Sequence, residues 1–325
     1  MLRVVVVPSC YWSSLCALNG MVRQESKAEW MIERNRAPRF VGVFPVNARG
    51  ELLLQLRDNR PELYGPGTWS TLGGAIEPGE TPEACARREL EEETGRRPDR
   101  VTPVAVVHRM RPDRPVMYEF HLFALAVNWT LDDVLLCEGQ GLAWIPSTAV
   151  AALALNELIE RDMRTFAAAR RVRSLAAAAP PWRETALPPL PPDLPVRLGV
   201  APGSLVFLHG ATARFAEQLR PLLPDGARQT ATPGAQERAD VALWWPRGSR
   251  SPREAWEIAG RLNEGGRLWL CGADSPPAGP DDTSSVLAAV GLAPAGIEPL
   301  PIGGEARARL YVRRAPGAKT NDAGR

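Results

Sequence analysis

Apolar residues cluster from Phe40 to Val46 and again across the leucine-rich stretch 51–57, with the polar tetrad Asn47-Ala48-Arg49-Gly50 between them, a pattern that predicts a β-hairpin. A Gly/Pro-rich loop (Pro61, Gly65, Pro66, Gly67) then leads through Trp69 to Gly73-Gly74. Thr81-Pro82 reads as an N-cap followed by proline at the first helical position, so a helix is expected to about Thr94 with Gly95 as its stop. Strand-like segments follow at 101–109, 116–127 and 142–145, and helices are expected at 146–153 and 156–170. Strands around one central loop and helix, closed by a last helix, predict a mixed α/β sandwich rather than a doubly wound parallel sheet.

Between 171 and 195 the composition turns to alanine and then proline, which predicts a semi-rigid polyproline-type linker that holds two domains apart. Beyond it, strand and helix alternate: strands at 204–209, 241–245 and 267–271, helices at 212–222, 252–262 and 283–290, and a last strand ending at 311–313. That alternation predicts a parallel sheet in a small Rossmann-like α/β unit. The expected organisation is an extension over 1–36, a first domain over 37–170, the linker over 171–195, an accessory domain over 196–315 and a tail over 316–325.

Composition narrows the picture little. The chain has 325 residues, 45% hydrophobic and 23% charged, enough for a core in each half. A formal net charge of +2 argues against wrapping a nucleic-acid duplex or adhering to an anionic membrane. Five scattered cysteines form no CxxC pattern, which disfavours disulfides and zinc and fits a reducing cytoplasm. Residues 4–22 carry no charge, yet Pro8, Asn19 and Gly20 interrupt them; the readings are a poor export signal, a disordered extension, or a start upstream of Met21 or Met31.

The chemistry concentrates in residues 74–95. Glu89, Glu92 and Glu93 fall at i, i+3 and i+4, on one helical face. Like charges at that spacing repel, a cost that a bound divalent cation would offset, and hard oxygen donors suit magnesium or manganese. The segment resembles the Nudix (MutT-like) box, G-x5-E-x7-R-E-U-x-E-E-x-G-U with U a bulky aliphatic, at every fixed position but the last, where Arg96 stands.

The resemblance covers about residues 38–165. It implies an α/β/α sandwich with a mixed sheet and a metal-dependent pyrophosphohydrolase. Glu89, Glu92 and Glu93 would be metal ligands, with Glu80 a further ligand or a carboxylate just behind them. Arg88 would orient Glu89 through its guanidinium fork, and Gly73 and Gly74 would let the backbone turn tightly beside the metal and phosphate. Mg2+ is the implied cofactor, with Mn2+ as a substitute. Arg57 sits where related enzymes place a phosphate-contacting arginine, and an exposed strand-end arginine is the alternative. Glu138, in Glu138-Gly139-Gln140, resembles a loop carboxylate near the metals and is the general-base candidate; a turn glutamate in solvent is the alternative. Asn156 resembles an asparagine that reads an oxidised purine, but a helix-capping role is the favoured reading of the residue. Trp69, His108 and His121 read as structural.

The second half weakly resembles a class I methyltransferase-like unit, yet Leu208-His209-Gly210-Ala211-Thr212 lacks the cofactor fingerprint. An accessory or interaction domain follows, with a protein partner or a homodimer contact as its expected use and Trp244-Trp245 as a contact surface or as core and rim. The implied reaction is hydrolysis of a nucleoside diphosphate linked to X, with a nucleoside triphosphate such as 8-oxo-dGTP ranked above nucleotide sugars and ADP-ribose. The competing classes are a nucleotide-sensing regulatory module and a methyltransferase.

Overall fold

A computed structural model describes residues 37–111, 116–182, 188–246, 252–273, 287–303 and 306–313. The expected extension, the tail and the first half of the expected helix at 283–290 lie outside these residues. Among the described residues no helix is long and apolar enough to cross a membrane.

Strands β1 (Arg39–Val46) and β2 (Glu51–Leu56) pair antiparallel, as the hairpin pattern predicts. Buried Asn47 shapes the turn: its Oδ1 accepts from the backbone N–H of Arg49 (2.9 Å) and of Glu51 (3.1 Å). The sheet adds β3 (Trp69–Ser70), β4 (Thr102–Met110), β5 (Met117–Ala126) and β6 (Gly141–Pro146). Its order is β3-β2-β1-β5-β4, with β6 also on β2; β1 and β5 run parallel and the other pairs antiparallel.

Alternation along the strands sorts side chains to two buried faces. Val41, Val43 and Leu53 pack with Cys85, Ala86 and Leu90 of α1 (Pro82–Thr94). Phe44, Val46, Leu52 and Leu54 pack on the other side with Met163 and Phe166 of α2 (Glu160–Ala168) and Val172 of α3 (Arg170–Ala178). The Phe44 and Phe166 rings stack at 4.2 Å. Helices on both faces of a mixed sheet make the expected sandwich.

Three local expectations change. The helix expected at 146–153 is a single 3-10 turn, Val150–Ala152, because β6 extends to Pro146. The helix expected at 156–170 starts only at Glu160 and breaks at Ala169, whose φ and ψ of −72° and 147° are extended. Helix α3 then occupies the start of the expected linker, where alanine favours helix and no proline intervenes before Pro180.

The second half holds β7 (Leu205–His209), α5 (Ala213–Leu219), β8 (Arg228–Thr230), β9 (Ala239–Trp244), α6 (Pro252–Gly260), β10 (Leu262–Ala273), β11 (Leu292–Pro294), β12 (Leu300–Gly303) and β13 (Ala306–Arg313). A short α4 (Leu194–Leu198) precedes them. Strands β8, β7, β9 and β10 are parallel, but β13 runs antiparallel to β10 and carries β11 and β12, so the sheet is mixed rather than purely parallel. Trp244 is fully buried and Trp245 meets Phe215 edge-on at 4.8 Å, which makes this tryptophan pair core and rim.

The linker residues do not hold the halves apart. Trp182 donates to the Trp129 carbonyl at 2.7 Å, and Arg49 lies 3.8 Å over its ring. Leu190, Leu194 and Leu198 enter a core that joins Leu90, Val134 and Leu136 of the first half to Leu208, Ala216 and Leu219 of the second. Apolar residues between the prolines thus fold the segment back where polyproline alone would extend it.

Candidate active site

Helix α1 places the acidic cluster. Thr81 Oγ1 accepts from Ala84 N–H (3.2 Å), Pro82 opens the helix, and Gly95, at φ 68°, closes it with its N–H on the Glu91 carbonyl (2.8 Å). Burying Cys85, Ala86 and Leu90 fixes the rotation of the helix, and Glu93, 3% exposed, is drawn in at its far end. Its Oε1 accepts from Gln55 Nε2 (3.2 Å) and its Oε2 from Gly73 N–H (2.8 Å).

The diglycine is required by close approach. A Cβ on Gly73, whose φ is 133°, would lie 2.2 Å from the Val41 carbonyl oxygen, and one on Gly74 would lie 2.5 Å from Glu89 Oε1. Arg88 gathers three carboxylates. Its Nε and Nη2 each donate to Glu80 at 3.0 Å, and its Nη1 donates to Glu89 (2.8 Å) and to Glu92 (2.9 Å).

The cluster is electrostatically loaded. Burial, and then the charges of Glu138 and Glu89, push the Glu93 carboxyl well up. Burial raises Glu89 to about 7 against the pull of Arg88, with Glu92 and Glu138 adding to the rise. Burial also raises Glu138, while Arg57 pulls it down and Asp58 pushes it up. Glu80, hydrogen-bonded by Arg88, is held below the usual range. Glu138 nevertheless keeps exposed surface. Glu138 therefore lies at the accessible edge of the acidic cluster.

Among the described residues no group of three His, Cys, Asp or Glu side chains is already posed to hold a metal ion, and Glu92, 57% exposed, is turned to Arg88. The donor chemistry still fits a hard cation: several carboxylates in one electrostatic neighbourhood, two of them desolvated, raise one another's proton affinity, which a divalent ion would relieve.

Arg57 lies beside this cluster: its Nε donates to the Tyr64 carbonyl (3.2 Å), and its charge acts on Glu138 and Glu93. Asn156 is buried but does not cap α2, whose N-cap is Ile159. Its Oδ1 instead accepts from Leu158 N–H (3.1 Å), and its backbone N–H donates to the Trp69 carbonyl (2.9 Å). Arg96 replaces the aliphatic residue of the box with polar contacts, donating to the Asp133 carbonyl (2.6 Å) and carboxylate (3.0 Å). His108 and His121 both face Glu119, at 3.4 and 2.6 Å, away from the acidic cluster.

Several residues here carried no expectation. Gln55 was visible as the one polar residue in the apolar LLLQL strand. Nothing local marked Asp58, which is 3% exposed, raised by burial, and left with an unpartnered Oδ1. Its Oδ2 meets Thr232 Oγ1 (3.4 Å) from the second half and Arg60 (3.5 Å). The second half also grips the loop of Glu138: Ala231 N–H donates to the Gly139 carbonyl (3.0 Å) and Gln229 Nε2 to that of Gln140 (2.7 Å).

A family model described as the NUDIX domain matches residues 36–168. The nucleoside triphosphatase NudI of Enterobacter sp. (strain 638) is 33% identical over 100 residues, which cover 28% of this chain and 71% of that protein. The NAD-capped RNA hydrolase NudC of Stutzerimonas stutzeri (strain A1501) is 49% identical over 47 residues, 14% of this chain and only 16% of that relative's length. Among solved structures, the MutT protein from Methanosarcina mazei Go1 aligns at 21% identity and a TM-score of 0.33, covering 40% of this chain and 91% of that one. The box at 74–95, the sandwich around it and the extent of the NudI match together make this chain a member of the NUDIX domain family.

Proposed function

We propose that the chain hydrolyses a phosphoanhydride bond of a nucleoside diphosphate linked to X, with a nucleoside triphosphate, including oxidised-purine forms, as the favoured substrate. The observation that carries this reading is the gathering of Glu89, Glu93 and Glu138 into one mutually repelling cluster, with Arg88 and Arg57 beside them. Such a cluster repels a substrate phosphate unless cations intervene, and accepts it tightly once they do. The NudI relative, named a nucleoside triphosphatase, supports the choice of substrate class.

Glu89, Glu92 and Glu93, with Glu80 close by, would hold Mg2+, or Mn2+ in its place. When bound, the cation polarises phosphoryl oxygens and neutralises charge on the leaving phosphate. Arg88 positions the ligands by its five-donor fork, and Arg57 offers charge to a phosphate. Glu138 takes the proton of the attacking water as that oxygen bonds to phosphorus and the bridging P–O bond breaks. A carboxyl whose proton affinity is raised by burial is a stronger base for that transfer. The Gly73 N–H is committed to Glu93, so the diglycine serves the ligands rather than the phosphate in this arrangement.

The test is a panel of nucleoside triphosphates, ADP-ribose and a nucleotide sugar presented to the full chain with Mg2+, with phosphate and pyrophosphate release as readout. Metal-dependent release from at least one triphosphate, lost in Glu93→Gln, is the expected result. Release from none of them, or full turnover in that variant, overturns the reading.

A further inference from the structure

The register of the first sheet sorts its side chains to two faces. Gln55 projects toward α1 and reaches Glu93, so its neighbour Leu56 projects to the opposite face. Gly141 in β6 and Trp69 in β3 are both Leu56's cross-strand partners and share that second face. A side chain from the other half of the chain arrives there. Arg220, in the 3-10 turn Arg220–Leu222 that follows α5, brings its Nη1 to 2.8 Å from where a Gly141 Cβ would stand, and its Cζ to 5.7 Å from the Trp69 ring centroid. That Nη1 is buried and has no hydrogen-bond partner.

Asn156 stands beside the same tryptophan. Its Oδ1 is taken by Leu158 N–H, while its Nδ2 points toward Gly65, 3.0 Å from where a Cβ there would lie. Two side-chain donors, one from Arg220 and one from Asn156, therefore lie in the neighbourhood of Trp69. The delivery is rigid: Leu136 N–H donates to the Ala211 carbonyl (3.0 Å), Ala213 N–H to that of Val134 (2.8 Å), and Gln229 Nε2 to those of Ala216 and Gln140 (2.7 Å each). Burying an arginine nitrogen without an acceptor is unfavourable. A ligand acceptor would complete it.

We propose that Arg220 is a specificity-determining residue, supplied by the second half of the chain, that donates to acceptor atoms of a guanine-type base lying near Trp69. The base edge of guanine presents two acceptors, O6 and N7, to an arginine fork, whereas adenine presents a donor at N6. The proposal rests on the hydrolase reading only for the placement of the phosphates at the carboxylates.

Calorimetric titration of dGTP and of dATP into the full chain, with Ca2+ in place of Mg2+ to stop turnover, tests it independently of catalysis. Arg220→Ala should weaken dGTP by about ten-fold or more and dATP far less. With Mg2+, KM for dGTP should rise while kcat stays within about two-fold. Arg220→Lys, which keeps the charge without the fork, should recover only part of the affinity. Arg220→Met, of similar length, replaces the alanine variant if that one does not fold. Unchanged dGTP affinity in these variants, or a wild-type chain that binds neither nucleotide or prefers dATP, overturns the proposal. Arg220-dependent dGTP binding without any turnover would sink the hydrolase reading and leave this one standing, whereas turnover indifferent to Arg220 would do the reverse.

Discussion

Gln229 and Gln140 lie 89 positions apart and are joined by a 2.7 Å hydrogen bond from the Gln229 Nε2 to the Gln140 carbonyl, while the same nitrogen reaches the Ala216 carbonyl at 2.7 Å. Gln229 is 1% exposed, so no water replaces these bonds when they are lost. Gln229→Leu is expected to cost ~1–3 kcal/mol in urea denaturation. It should also lower kcat, because Glu138 sits two residues before the released carbonyl. A variant with unchanged kcat would separate the loop from the chemistry.

Glu93→Gln keeps the shape of a side chain whose charge is buried and opposed by Glu138 and Glu89. The metal-free variant should therefore melt at or above the wild-type temperature, while metal-dependent turnover falls by ~10²-fold or more. Parallel melting curves and steady-state rates check both halves of this expectation.

The raised Glu89 carboxyl predicts a pH signature. In the folded, metal-free chain it titrates near 7, against about 4.5 unfolded, so the folded state holds the extra proton between these values. The contribution is fully present below the unfolded value and is lost as pH rises toward 7. It amounts to on the order of 3 kcal/mol. Other groups shift in both directions, so the measurement is the difference between wild type and Glu89→Gln: the wild type should lose stability relative to the variant from pH 4.5 to 7, and Mg2+ should flatten that difference. A flat difference without metal would contradict it.

Gly73 and Gly74 should respond differently to alanine. At Gly73 the new Cβ meets backbone, the Val41 carbonyl, at a positive φ, and the variant should lose ~2 kcal/mol or more. At Gly74 it meets the movable end of Glu89. Gly74→Ala should fold with a near-normal melting temperature yet turn over slowly, a contrast that calorimetry and rate measurements resolve.

How much of this was legible in the chain depends on how local the cause is. The hairpin, α1 with both its caps, and the acidic face were visible because Thr81-Pro82, Gly95 and the i, i+3, i+4 glutamates act within a turn or two of themselves. The mixed first sheet followed from the same patterns. The polar residues around the acidic cluster were not legible: Asp58, Gln229 and Arg220 look like ordinary surface polar residues until a segment distant in the chain packs against them. The proline-rich stretch misled for a related reason, since its composition records backbone stiffness but not the burial of Leu190 and Leu194 between the prolines. β8, only three residues long, offers too little alternation to read.

Because Leu90, Val134 and Leu136 share one apolar interior with Leu194, Leu208 and Leu219, parting the halves would wet both sides of it. A substrate would then have to enter by rearrangement of side chains and short loops at the rim rather than by parting the halves. A trimmed version consisting of the first half alone would expose a sticky facet where the second half now sits, and would aggregate before it could serve as a minimal enzyme.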